Sequence, residues 1–124
     1  MEWVAGRART ELYTTSVNIA EIRYGITIQP DATRRESLQH WLDHSVRPLF
    51  DDRVLGMAED TLLQWRIFAH RADRDKQPAP AADLLIAAIA AMNNLPVATR
   101  DVAPFVRTGV PVFNPWTAER FNGA

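Results

Sequence analysis

The chain contains no cysteine, so disulfides and thiolate metal sites are excluded, and any metal must be held by oxygen or imidazole donors. It also lacks a long apolar run. Nothing approaches the ~20 residues that span a bilayer, and the N-terminus carries no signal-peptide core, so a soluble, cytoplasmic protein is expected. Lysine is almost missing too: Lys76 stands alone among fourteen basic residues, the rest being arginine. A net charge of −1 gives no global basic field. Arginine suits forked contacts with phosphate, which makes this usage permissive for such a partner and no more. Histidine is sparse. His40 and His44 lie four apart and can share a helix face, but no Glu stands between them in the metalloprotease pattern, and they read as solvated surface residues. Hard, oxygen-seeking Mg²⁺ or Mn²⁺ are therefore the expected metals.

What the chain does have is material for a core. With 124 residues, 47% of them hydrophobic, one globular domain over 1–124 is expected. Its most telling stretch is Pro80-Ala81-Ala82-Asp83-Leu84-Leu85-Ile86-Ala87-Ala88-Ile89-Ala90-Ala91, a helix apolar on all sides that belongs inside the protein. Its one carboxylate, Asp83, has two readings: an N-cap that accepts orphan backbone N–H groups, or a metal-binding or catalytic acid.

In chain order, residues 1–9 read as the end of a helix bearing Trp3 and Val4. Leu12-Tyr13-Thr14-Thr15 is β-prone, and Ser16 is the expected cap of a helix over 17–28 with Ile19, Ile22 and Ile26 on one face. Asp31 caps a longer helix over 32–46, with Leu38, Trp41, Leu42 and Leu49 as its buried stripe and Pro48 as its end. Arg53-Val54-Leu55 is a short strand. A helix over 58–74 turns Leu62, Trp65, Phe68 and Ala69 inward, and a charged, proline-rich loop leads to the Asp83 helix. Asn93-Asn94 stops that helix, and 95–99 forms a buried strand presenting Arg100 and Asp101 at its end. Pro104-Phe105 suggests a turn, Pro111-Val112-Phe113 a last strand, and Asn114-Pro115-Trp116 a closing corner, with Phe113 and Trp116 in the core. Alternating strands and helices imply right-handed crossovers and a parallel sheet covered on both faces. Ligands gather outside the carboxyl ends of such strands.

Three acids stand in apolar surroundings: Glu21, Asp83 and Asp101. A buried lone carboxylate is costly, so each needs a partner or a cation. A shared divalent ion would relieve their repulsion and hold a phosphate oxygen or an activated water. Alternatively, Asp83 caps, Asp101 makes a turn, and Glu21 pairs with Arg23 or Arg100.

Asn18-Ile19-Ala20-Glu21-Ile22-Arg23-Tyr24-Gly25, Ala81-Ala82-Asp83 leading into Ile86-Ala87-Ala88, Ala98-Thr99-Arg100-Asp101, and Val112-Phe113-Asn114-Pro115-Trp116 together resemble the ordered signature of PIN-domain toxins of the VapC type. Within them, the Thr-Arg-Asp stretch is most similar to the FitB-like branch. The resemblance runs over nearly the whole chain and implies a PIN-like α/β/α sandwich with a central parallel sheet. It further implies a metal-dependent endoribonuclease, using Mg²⁺ or Mn²⁺, that is the toxin of a type II toxin–antitoxin pair. Such a protein forms a homodimer and is neutralised by a cognate antitoxin. By the same resemblance Asp83 is a principal metal ligand, Glu21 a second-site or water-positioning carboxylate, and Asp101 the further acid. Thr99 supports the cluster, while Arg23 and Arg100 contact RNA phosphate or antitoxin, or pair within the core. Such toxins begin with a buried strand ending in Asp-Thr-Asn, which supplies another metal ligand. This chain shows no such motif, so an N-terminally truncated PIN-like domain is expected. That motivates a second expectation, a catalytically inactive remnant that binds an antitoxin or a second copy.

Overall fold

Residues 12–124 are described in this computed structural model; the helix end expected over 1–9, with Trp3 and Val4, lies outside them. Contacts divide the chain into an N-terminal unit, Met1–Gly56, and a C-terminal unit, Met57–Ala124.

In the N-terminal unit, β1 (Thr14–Thr15) pairs in parallel with β2 (Val54–Leu55). Arg53 anchors the pair, its Nε and Nη2 donating to the carbonyls of Leu12 and Leu49 at 2.9 and 3.0 Å. Helix α1 (Ser16–Thr27) is capped by Thr15 rather than by Ser16: the Thr15 hydroxyl oxygen accepts from the Asn18 N–H at 3.0 Å. A cap must stand in extended backbone, and Thr15 does, with φ −126° and ψ 158°, whereas Ser16 is already helical. Ile19 and Ile26 of α1 close on Leu42 to make this unit's core, with Ile22, Leu38 and Val46 packed around them.

Asp31 caps α2 (Ala32–Trp41) as its sequence position implies, accepting from the N–H groups of Thr33 and Arg34 at 3.0 and 3.3 Å. The helix does not end at Pro48. It passes through a π-helical stretch, Leu42–Val46, into α3 (Arg47–Phe50), with the Arg47 N–H reaching back five residues to the Leu42 carbonyl. In a regular helix a proline ring collides with the carbonyl four residues earlier; the widened turn relieves that collision and lets the chain continue. It stops at Asp51, whose φ is 52°. Along this path Leu42 is fully buried, but Trp41, expected in the buried stripe, is 45% exposed.

In the C-terminal unit, α4 (Glu59–Arg74) opens with the Thr61 hydroxyl accepting from the Ala58 N–H at 3.4 Å. Glu59 and Asp60 lie at its positive end, Arg71 and Arg74 at its negative end. Phe68 is buried, and Trp65 and Ala69 pack against the core, but Leu62 faces solvent. Helix α5 (Ala81–Met92) lies against α4 and buries Ala87, Ala88 and Ile89 completely. Strand β3 (Val97–Ala98) runs parallel to β4 (Val112–Phe113), and the turn expected at Pro104-Phe105 is a one-turn helix, α6 (Ala103–Val106). A strand absent from the sequence reading, β5 (Arg120–Phe121), pairs with β4 and is antiparallel, so this sheet is not wholly parallel. Phe68, Leu84, Ala88, Val97, Phe105 and Val112 form the heart of the core. Among the described residues, no helix is long and apolar enough to cross a membrane.

Candidate functional site

Strand β3 sets one edge of the site. Beyond Ala98 the ladder continues for one more residue, the Thr99 N–H donating to the Phe113 carbonyl at 3.0 Å. The Thr99 hydroxyl oxygen then accepts from the Asp101 N–H at 3.1 Å. This short hydroxyl-closed turn fixes Asp101 just outside the carboxyl end of β3, where its side chain is exposed.

Arg100, between them, lays its guanidinium over the Trp116 ring at 5.4 Å from the ring centroid. Trp116 is 55% exposed, which corrects its expected place in the core. The corner explains this. Asn114 is buried, its side-chain oxygen accepts from the Trp116 N–H at 2.9 Å, and its own N–H donates to the Glu119 carbonyl at 2.9 Å. Turning the chain back on itself there leaves the indole outside, with one face shared with a cation. Phe113 remains buried, and the Arg120 guanidinium sits 4.7 Å from its ring centroid. Trp116 and Arg120 therefore join this edge, unanticipated from sequence. The one available signal was the Asn-Pro turn immediately before Trp116.

Asp83 is not the N-cap. Pro80 holds that position without a side-chain bond, and Asp83 lies three residues further, half-buried in the first turn of α5. There its charge meets the positive end of the helix dipole while the helix beyond it enters the core.

In the N-terminal unit, Glu21 and Arg23 stand on α1, both exposed. The burial argument that demanded a partner therefore fails for Glu21 and for Asp101, since water solvates both. No ion pair joins Glu21 to Arg23 among the described residues. Thr99 and Asp101 are brought into direct contact, and Arg100 is turned toward Trp116. Among the described residues, no group of three or more His, Cys, Asp or Glu side chains is placed to hold one metal ion.

The PIN domain family model matches residues 1–110. The chain belongs to the PIN-domain family. This PIN domain is 34% identical over 118 residues to the plasmid stability protein StbB of Pseudomonas syringae pv. tomato, covering 95% of this chain and 85% of that protein. To the VapC ribonuclease Y4jK of Sinorhizobium fredii it is 31% identical, covering 94% and 83% of the two chains. To the toxin FitB of Neisseria gonorrhoeae it is 32% identical, covering 92% and 82%. The crystal structure of FitAcB from Neisseria gonorrhoeae superposes with a TM-score of 0.84 at 31% identity, over 93% of this chain and 83% of that one. The α/β PIN fold and the kinship with VapC and FitB toxins implied by the ordered motifs are thus borne out.

Proposed function

We propose that this PIN domain is the toxin of a type II toxin–antitoxin pair and acts in the cytoplasm as an endoribonuclease that hydrolyses RNA phosphodiester bonds with Mg²⁺ or Mn²⁺. The observation that carries the proposal is the extent of its kinship: relatives named as a VapC ribonuclease and as the toxin FitB are similar over more than nine-tenths of this chain. The residues we assign to the chemistry are Glu21, Asp83 and Asp101, with Thr99 holding the turn that presents Asp101. Arg100 and Arg23 are assigned to phosphate or antitoxin contacts. The described side chains do not by themselves make a three-ligand ion site.

That same observation favours a second reading. On it the chain, whose described residues form no three-acid ion group, is a module that binds an antitoxin or a second copy of the chain without turnover. One set of measurements separates the two. The nuclease reading expects RNA cleavage that requires Mn²⁺ or Mg²⁺, stops in EDTA, and falls at least ~100-fold in Asp83→Asn, since even outer-shell changes at metal sites cost 10–100-fold. Retained antitoxin binding with no cleavage in any metal would establish the binding module, and cleavage indifferent to EDTA would overturn the metal-dependent mechanism.

A further inference from the structure

Trp116 stands outside the core and is 55% exposed, yet the chain fixes the corner that carries it. The buried Asn114 side chain accepts from the Trp116 N–H at 2.9 Å, and the Asn114 carbonyl accepts from the Ala118 N–H at 2.8 Å. Ala118 takes φ 63°, in the left-handed region that disfavours an L-residue. Backbone held at a cost around an exposed ring points to a use for that ring.

Its neighbours decide which use. Arg100, next to Asp101, lays its guanidinium over the indole at 5.4 Å from the ring centroid. Ala98, Phe113 and Arg120 stand in register across β3, β4 and β5, so β5 brings a second arginine to the same edge, two strand spacings or roughly 10 Å from β3. The Arg120 guanidinium packs over the Phe113 ring at 4.7 Å, and neither arginine makes an ion pair among the described residues. Asp101 and Glu119 are exposed on this edge as well, so its charges balance. Charge alone would therefore not hold a polyanion here; the aromatic face must supply most of the affinity.

A ligand that offers flat rings along a phosphate backbone meets these conditions. The bases of a single strand stack on aromatic side chains whatever their sequence, while its phosphates take the forked donors of arginine. No base fits between Arg100 and the indole, because two stacking contacts of about 3.5 Å need roughly 7 Å and the gap is 5.4 Å. The base must use the rest of the indole surface, which leaves Arg100 for a phosphate.

We propose that Trp116 is the stacking platform for one base of single-stranded RNA, with Arg100 and Arg120 on the flanking phosphates, so that the strand is led past Asp101. The choice of RNA rests on the nuclease reading above, to which the platform adds a substrate-binding residue.

The test is equilibrium binding of a fluorescein-labelled oligouridylate to the full chain, read by anisotropy over a range of salt concentrations, in EDTA to separate binding from metal-dependent turnover. Trp116→Ala should raise Kd between about fivefold and about 100-fold, the range for one stacked base, and leave the salt slope unchanged. Trp116→Phe should restore most of the affinity. Arg120→Gln should instead lower the slope of log K against log salt by about 0.7, the share of one phosphate contact on a single strand. Trp41→Ala, which removes an exposed indole from α2, should change nothing. The platform is overturned if Trp116→Ala binds RNA as the unsubstituted chain does, if Trp116→Phe fails to restore binding, if the unsubstituted chain binds no RNA, or if the loss is confined to antitoxin binding. RNA binding that depends on Trp116 without cleavage in any metal would sustain the platform and refute the nuclease reading; metal-dependent cleavage with binding indifferent to Trp116 would do the reverse.

Discussion

Ile89 and Trp116 show how differently two large apolar side chains of the same unit contribute. Ile89 is fully buried in α5, so Ile89→Ala leaves a cavity where its side chain was. A loss of about 2–5 kcal/mol is expected from chemical denaturation. Trp116→Ala removes a bigger side chain, but one that is 55% exposed and whose specific contact is the Arg100 guanidinium. Its expected cost is below about 1 kcal/mol, the scale of an exposed cation–π pair. A Trp116 variant as damaging as Ile89→Ala would show that the corner after Asn114 is core after all. Asp83 teaches the same lesson at a polar position: Asp is a favoured capping residue, yet Pro80 begins the helix and leaves the carboxylate inside the first turn.

At the level of an element, the α2–π–α3 helix shows how one proline can reshape what surrounds it. The proline follows the π-helical stretch, and across that stretch Gln39, Asp43 and Arg47 are bonded in a ladder on an exposed face. The hydrogen bond from Gln39, followed by that from Arg47 and its charge, holds the Asp43 carboxyl below its ordinary value of 3.8. A carboxylate whose folded value is depressed adds stability that is fully present above the unfolded value and is lost as pH falls through the folded one. The ladder is therefore intact at neutral pH and fails in the acid range below 3.8, with only a small effect because the group is solvent-screened. A ¹³C carboxyl titration should place the Asp43 midpoint lower in the unsubstituted chain than in Gln39→Ala, and equal midpoints would remove the ladder as the cause.

For the whole molecule, the proposed toxin–antitoxin pairing would couple folding to a protein partner. An antitoxin that binds the folded chain and not the unfolded one raises its stability by about 2.7 kcal/mol at a free concentration of 100 times Kd. Co-purified complex should accordingly melt at a higher temperature than the isolated chain, by an amount that grows with antitoxin concentration. A melting temperature independent of antitoxin would argue against the pairing.

Local chemistry made much of this protein legible from its sequence. The Asp31 cap, the parallel pairing of β1 with β2 and of β3 with β4, and the buried Ala87-Ala88-Ile89 centre of α5 all depend on a few neighbouring residues, and each stands where those residues imply. Other features required the tertiary structure because they depend on how the chain turns in space. Strand β5 exists because the Asn114 corner folds the chain back onto β4, and no alternation within Arg120-Phe121 announces it. Trp116 lies outside because that corner directs it there, although its size suits a core. Glu21 and Asp101 face water although their neighbours in sequence are apolar, since a residue on a helix or just beyond a strand takes its exposure from the face it occupies. The amino-acid pattern alone carried the family and the principal helices; packing decided which side chains face each other and which face solvent.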